Sequence, residues 1–148
     1  MICKRTTSQH SDFIELVHLL DAELTERDGD EHTFYHQFNS IDSLQHCIVL
    51  YHVSDAVGCG AIKNYDDATV EVKRMYVTNT HRGKGVATRI LIHLEMWAKE
   101  LDFQRCVLET GIRQPEAIAL YKKNGYHQIP NYGQYIGVEN SVCFEKLL

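Results

Sequence analysis

The sequence has no apolar run long enough to span a membrane, and Met1 to Arg5 leads into polar residues rather than a signal-peptide core. Only 2 of its 148 residues are proline, and no repeat, linker or low-complexity tract interrupts it. With 44% hydrophobic and 24% charged residues, the chain has the balance of one globular domain with a real core. We therefore expect a single domain over residues 1–148 that is soluble, not exported and cytoplasmic.

Motifs that pair cysteines or bind metals are also missing. The five cysteines are an odd number, include no Cys-x-x-Cys and fall in strand-like apolar segments, so we expect reduced core residues. The nine histidines are scattered. His32 and His36 are spaced to share a helix face, but no third ligand is visible, and no metal site is expected.

An excess of basic residues is the third absence. The formal charge is −5, which argues against a nucleic-acid binder or a protein of anionic membranes. A dense group of acidic residues occupies the stretch from Thr25 to Glu31, which is predicted to be a loop. Such a loop would either receive an amine-bearing substrate or simply be solvated, and both interpretations stay open.

Hydrophobic periodicity predicts the order of the secondary structure. The predicted elements are a strand at 2–7, a helix at 9–25, a short helix containing Phe34, Tyr35 and Phe38, strands at 47–53, 56–63 and 68–78, a helix from Gly85 to Leu101, a strand at 105–110, a helix from Pro115 to Asn124, and strands at 126–129 and 142–147. Tight polar links between the middle strands indicate antiparallel hairpins. The prediction is an α/β fold whose mixed, mostly antiparallel sheet has about four flanking helices.

Two glycines flank Lys84 between the strand at 68–78 and the helix that follows. Gly83 and Gly85 leave consecutive backbone N–H groups open, and the helix N-terminus adds its positive dipole end, so a diphosphate would fit there. The spacing is wrong for a P-loop, and Thr88 stands where a dinucleotide-binding fingerprint needs its third glycine. A plain surface turn is the alternative.

Two motifs in this chain resemble those of the GNAT superfamily of N-acetyltransferases. The stretch from Arg82 to Ala87 matches the family's Arg-x-x-Gly-x-Ala, placed after a strand and opening a helix. The segment from Ala117 to Tyr126 is similar to its Ala-x-x-Leu-Tyr-x-x-x-Gly-Tyr. The resemblance implies a GNAT-like fold with acetyl-CoA as cofactor, held in a slot where the strands at 68–78 and 105–110 splay apart.

The resemblance also implies a set of cofactor-binding residues. The diphosphate would lie on the loop and first helical turn, formed by Arg82, Gly83, Lys84, Gly85, Val86, Ala87 and Thr88. The backbone of three strand residues would pair with the pantetheine arm, namely Met75, Tyr76 and Val77. Gln114 stands where the family commonly has asparagine, so its contact with the cofactor is an open point.

Glu71 is the candidate general base, because it lies between two valines on the central strand and the family often has a catalytic glutamate there. The alternative is that it only pairs with Lys73 or Arg74. Tyr121 matches the family's helix tyrosine, whose phenol can donate a proton to the leaving sulfur. Otherwise it is a packing residue.

These residues predict an N-acetyltransferase that moves an acetyl group from acetyl-CoA to a primary amine by direct attack in a ternary complex. A CoA-binding module without turnover and a protein lysine or N-terminal acetyltransferase are the alternatives. We expect a small-molecule amine acceptor rather than a protein, and no nucleic-acid or membrane partner. A homodimer stays open. Tyr132 and Tyr135, in a loop with Gly133 and Gly137, would either line the acceptor pocket or cover their own sheet edge.

Overall fold

A computed structural model describes residues 1–28 and 44–148. The strands are β1 (Ile2–Thr6), β2 (His46–His52), β3 (Asp55–Asp66), β4 (Thr69–Val77), β5 (Arg105–Gly111), β6 (His127–Ile129) and β7 (Ser141–Leu147). The α-helices are α1 (Ser11–Asp28), α2 (Val86–Glu100) and α3 (Pro115–Lys123). Each strand predicted from the sequence is present within a few residues of its expected bounds.

The strands form one 7-stranded sheet in the order β1-β2-β3-β4-β5-β7-β6. Every neighbouring pair is antiparallel except β4 and β5, which run parallel. That parallel pairing ends at Glu71 opposite Val107, although β4 continues to Val77 and β5 to Gly111. Beyond this point the two strands diverge, so the expected splay is confirmed and a cleft opens in the middle of the sheet.

Alternating residues of the central strands supply a core on each face of the sheet. Ile48 and Leu50 of β2 pack with α2 and α3, whereas Cys47 and Val49 pack with α1. Successive side chains of a strand point to opposite faces, so one apolar run serves both cores. The sheet is therefore covered by α1 on one side and by α2 and α3 on the other.

Helix α2 approaches β3 closely because that strand presents glycines to it. A Cβ at Gly60 would lie 2.6 Å from Met75 Sδ and 2.9 Å from Leu94 Cδ1. The buried face of α2 is mostly apolar and includes Val86, Ile90, Leu91, Leu94 and Ala98. Leu101, the last residue of the predicted helix, caps the helix end and is 39% exposed.

Helix α1 corrects one prediction. It runs to Asp28 rather than ending at residue 25, so the acidic stretch expected as a loop from Thr25 begins as helix. Arg27 stabilises this last turn through ion pairs with Glu23 on α1 and with Glu116 on α3. The remainder of that stretch, the predicted helix around Phe34 and the pair His32 and His36 lie outside the described residues. Among the residues that the structure describes, there are three α-helices rather than about four.

The cysteines are reduced core residues, as expected. Cys47, Cys59, Cys106 and Cys143 are buried, Cys3 is half-buried, and all five are free. Burial raises the pKa of the Cys47 and Cys106 thiols to about 12, so neither is a ready nucleophile. Within residues 1–28 and 44–148, no cluster of His, Cys, Asp and Glu could hold a metal ion, and no helix is long and apolar enough to cross a membrane.

Candidate active site

Two adjoining cavities occupy the cleft between β4 and β5. The first, called here the Glu71 cavity, measures about 740 Å³ including open solvent and is lined by Glu71, Lys73, Arg74, Glu109 and Tyr135 with apolar residues of α1. The second, the loop cavity, measures about 1160 Å³ on the same basis and is lined by Met75 to Val77, Arg82 to Thr88 without Lys84, and α3. Both share Leu20, Met75, Gln114, Ala117 and Tyr121. The two cavities therefore adjoin, and together they are called the passage here.

The loop before α2 has the open backbone that the sequence predicts. Gly83 and Gly85 adopt φ of 74° and 79°, a left-handed conformation that favours glycine, and no atom lies within 4 Å of where their Cβ would be. In the described part of the chain, the N–H groups from Gly83 to Thr88 have no backbone acceptor, and the first such bond runs from Arg89 N to Gly85 O at 3.1 Å. These amides are available to an anion.

Strand β4 keeps an unpaired edge along the cleft. Its register with β3 shifts between Cys59 and Ala61, because β4 carries one extra residue there, and Arg74 takes a left-handed φ of 60°. This bulge bends the strand away from β5. Met75, Tyr76 and Val77 follow the bulge and line the loop cavity beyond the last parallel pair. Their backbone is placed to pair with an extended ligand, as the resemblance implies.

Arg82 reaches into an ion pair that the sequence did not predict. Its Nη1 and Nη2 each donate to Glu23 on α1 at 2.9 Å, and its Nε donates to Val77 O at 2.9 Å. The carboxylate of Glu23 raises the pKa of Arg82 further above its usual value. Lys84 is exposed and does not line either cavity. A carboxylate from α1 thus occupies the guanidinium that the sequence assigned to the diphosphate.

Glu71 lies at the inner end of the passage and is 7% exposed. The Tyr132 hydroxyl donates to its Oε2 at 2.6 Å, and Lys73 Nζ lies 3.8 Å from its Oε1. The pairing offered as the alternative to catalysis is therefore present, and so is the cavity that catalysis requires. Burial lowers the pKa of Lys73, although the charge of Glu71 opposes that shift.

The loop between β6 and β7 brings Tyr132 and Tyr135 to the Glu71 cavity. Asn131 Nδ2 donates to Tyr135 O at 3.1 Å and to Val138 O at 3.0 Å, which pins the loop. Tyr135 is 1% exposed and lines the cavity, whereas Tyr132 contacts Glu71 and packs edge-on against Tyr65 at 5.2 Å. Tyr135 thus lines the cavity itself, Tyr132 reaches it through Glu71, and the role of the loop in acceptor binding stays a prediction.

Tyr121 stands where the two cavities meet and is 6% exposed. Its ring packs edge-on against Tyr126 at 5.8 Å, so it is a core residue as well as a cleft residue. Burial, helped by the charge of Glu109, raises the pKa of its phenol above the usual value. Gln114 is the N-cap residue of α3 and lines both cavities.

Sequence reasoning missed several charged residues of the cleft. Glu109 on β5 accepts a hydrogen bond from Ser141 Oγ at 2.7 Å, and Arg74 Nη1 lies 3.1 Å from Asp21 Oδ1 on α1. Charged residues in otherwise apolar strands were the available signal, because they are rarely buried without a partner. The partners come from other elements and could not be assigned.

A sequence model described as the Acetyltransferase (GNAT) family matches residues 13–126. The chain belongs to the GNAT family. Membership confirms the fold expected from the motifs at Arg82–Ala87 and Ala117–Tyr126, and with it the class, an acetyltransferase domain for which acetyl-CoA is the cofactor.

Individual GNAT relatives agree with this. The chain is 39% identical over 93 residues to the IAA acetyltransferase of Azospirillum brasilense, covering 62% of this chain and 61% of that protein. A Klebsiella pneumoniae protein assigned as an acyl-CoA N-acyltransferase superposes with a TM-score of 0.84 at 30% identity, covering 99% and 97% of the two chains. A GNAT acetyltransferase of Elizabethkingia anophelis, solved with acetyl-CoA bound, shares the fold with a TM-score of 0.70 at 16% identity, covering 99% and 97%.

Proposed function

We propose that the chain acts as one N-acetyltransferase domain that moves an acetyl group from acetyl-CoA to a primary amine by direct attack. One observation carries this proposal: two adjoining cavities with five shared lining residues bring the open amides of the loop at Gly83 and Gly85 close to the buried carboxylate of Glu71. The first end suits a diphosphate and the second suits an amine. The relative named IAA acetyltransferase supports a small-molecule acceptor rather than a protein.

The residues present fit acetyl-CoA. The unpaired N–H groups from Gly83 to Thr88 would hold its diphosphate, and the edge of Met75 to Val77 that β5 does not pair, where Arg82 Nε now donates to Val77 O, would hold its extended arm. When bound, acetyl-CoA supplies a thioester as the acyl donor. Holding it and the amine in one passage avoids much of the entropic cost of bringing two reactants together.

Glu71 and Tyr121 are proposed to move the protons. An alkylamine has a pKa of about 10.4 and must lose a proton before it attacks, and the Glu71 carboxylate is the acceptor for that proton. As the new N–C bond forms and the C–S bond breaks, the Tyr121 hydroxyl donates its proton to the departing sulfur. Glu71 releases the first amine proton to solvent, takes the second proton that the nitrogen loses as it becomes an amide, and passes it to the Tyr121 phenolate, so one proton is released per transfer and the charges balance. No step requires an acyl-enzyme.

The test is to mix the protein with acetyl-CoA and a panel of amines and to measure thiol release together with the acetylated product. We expect transfer to at least one small amine and a ternary-complex kinetic pattern. Tight acetyl-CoA binding with no thiol release from any amine or peptide would instead identify a CoA-binding module. Transfer to peptides alone would identify a protein acetyltransferase.

A further inference from the structure

Two buried cations line the Glu71 cavity. Lys73 and Arg74 follow one another on β4, and their side chains are only 6% and 2% exposed. Burying a charge is costly unless paired groups compensate for the lost water. A pocket that received a simple alkylamine would gain nothing from a buried guanidinium, since both groups are cationic in solution. Lys73 has Glu71 and Arg74 has Asp21 as a carboxylate partner, so a further negative group is indicated only where a donor edge is left over.

Arg74 is satisfied on one edge only. Its Nη1 donates to Asp21 Oδ1 at 3.1 Å, but its buried Nε–H has no hydrogen-bond partner among residues 1–28 and 44–148. Nε and Nη1 lie on opposite edges of the planar guanidinium, so Asp21 leaves the Nε edge without an acceptor. A buried donor without a partner is unfavourable, so an acceptor oxygen that reached this edge would remove that cost.

The backbone that carries this guanidinium is strained. Arg74 has a φ of 60°, which is uncommon for a residue other than glycine, and the Cys59 thiol donates to its carbonyl oxygen at 3.3 Å. In a regular strand Lys73 and Arg74 would point to opposite faces, whereas the bulge lets both line one cavity. Backbone strain of this kind is concentrated at ligand sites.

We infer that the Glu71 cavity takes a primary amine that also carries a carboxylate, as a free amino acid does, and that Arg74 binds this carboxylate through its Nε edge. The inference rests on the proposed acetyl transfer, because it assigns the acceptor of that reaction. Glu71 receives the amine end of the molecule, and Arg74 and Lys73 receive the acidic end. Arg74 is thus a specificity residue beside the proposed base.

The first experiment compares acceptors with and without this charge, with kcat/KM referred to the concentration of free amine, because a carboxamide also lowers the pKa of the neighbouring amine. Free α-amino acids, such as glycine and alanine, are compared with their carboxamides, and product formation from acetyl-CoA gives kcat/KM for each pair. A charge-assisted hydrogen bond predicts a preference of roughly 10- to 100-fold for the acids. Amides that are equally good or better acceptors would overturn the inference and leave the proposed acetyl transfer intact.

The second experiment asks whether Arg74 causes the preference. Arg74→Gln should lower kcat/KM for the acid by more than for the amide, so that the acid-to-amide ratio falls toward one, and Arg74→Lys should restore part of that ratio. Arg105→Gln is the matched control, because Arg105 also pairs with a carboxylate, at 2.8 Å from Glu145 Oε2, but does not line either cavity. An equal loss for acid and amide in Arg74→Gln would contradict the inference.

A binding measurement separates this inference from the proposed function. Propanoate and propanamide carry no amine, so their binding by calorimetry does not depend on turnover. Binding of propanoate to the wild type but not to Arg74→Gln would support the anion site even if no amine were acetylated. If neither compound binds the wild type and no acid is preferred as acceptor, the inference is wrong.

Discussion

The two ends of the cleft differ in the groups that line them. The loop cavity is its backbone end, and the Glu71 cavity is its side-chain end. The loop cavity is formed around backbone, where N–H groups from Gly83 to Thr88 remain unpaired and two glycines leave open space. The Glu71 cavity is formed from buried side chains, and the charged residues on its wall belong to two separate strands. Backbone groups recognise a diphosphate whatever else the ligand carries, while side chains read one particular ligand. Cofactor binding and acceptor choice should therefore fail separately when residues are changed.

The largest effect is expected at the side-chain end, from Glu71→Gln. The amide keeps an acceptor for the Tyr132 hydroxyl, now 2.6 Å from Oε2, but cannot take a proton from the amine. We expect kcat/KM for the amine to fall by roughly 10²- to 10⁴-fold. Calorimetry should show acetyl-CoA affinity unchanged within a few-fold.

Glu109→Gln is the matched control for that change, because Glu109 is a second carboxylate of the same cavity. It should reduce the rate by less than tenfold, since it accepts from Ser141 and is not proposed to take a proton. Equal losses in the two variants would show that the cavity needs only its total charge. The proposed role of Glu71 as the proton acceptor at the side-chain end would then be wrong.

Tyr121→Phe tests the proposed proton donor, which lies where the two ends meet. We expect it to lower kcat by roughly 10- to 100-fold. Burial raises the pKa of this phenol above its ordinary value near 10, so it keeps its proton while the free amine becomes more abundant. The wild-type rate should therefore still rise with pH through about 10. An alkaline decline near that pH, absent from Tyr121→Phe, would contradict the assignment.

Tyr126→Phe is the control for loss of a buried hydroxyl. Tyr126 packs against Tyr121, but its own hydroxyl donates to Glu95 Oε2 at 2.9 Å, on the α2 side of the sheet. Its removal should lower the melting temperature and leave kcat nearly unchanged.

At the backbone end, Gly85→Ala should weaken acetyl-CoA binding by roughly tenfold while leaving the preference among amines unaltered. Alanine at a φ of 79° is strained, and its methyl group would face the ligand. Gly137→Ala is a matched control, because Gly137 has a φ of 81° and likewise nothing within 4 Å. Both variants should lose about 1–2 kcal/mol of stability, and only Gly85→Ala should lose cofactor affinity. Equal acetyl-CoA affinities in the two variants would contradict the assignment of cofactor binding to the backbone end.

The backbone end could be predicted from the sequence because the residues that form it are consecutive. The six residues from Arg82 to Ala87 carry the motif, the glycines and the helix start, so family and loop geometry follow from one short stretch. The strands were equally accessible, because the alternation of Cys47 to Leu50 between two cores is written in the chain itself. Local chemistry was sufficient in both cases.

The contacts at the side-chain end could not be predicted from the sequence, because they join residues that are far apart in the chain. The partner of Glu71 is Tyr132, and the partner of Arg74 is Asp21, at separations of 61 and 53 residues. The extent of α1 was missed for the same reason, since Arg27 in its last turn pairs with Glu116 of α3. Composition indicated an acidic loop there, and a tertiary ion pair stabilised a helix instead.

The smallest effect is expected from Glu23→Gln, which removes a side-chain carboxylate located at the backbone end. Glu23 holds both Nη atoms of Arg82 at 2.9 Å, so it competes with a diphosphate for that guanidinium. Their side chains are 26% and 36% exposed, and an ion pair of this kind is weak, so removing the carboxylate should tighten acetyl-CoA binding by only about 2- to 5-fold. Calorimetry at low and high salt should show the gain shrink as ions screen it. Glu100→Gln, which breaks the exposed pair with Arg5 outside the cleft, should leave the affinity unchanged. Weaker binding in Glu23→Gln would mean that Glu23 orients Arg82 for the diphosphate, in which case the backbone end also depends on a side chain from α1.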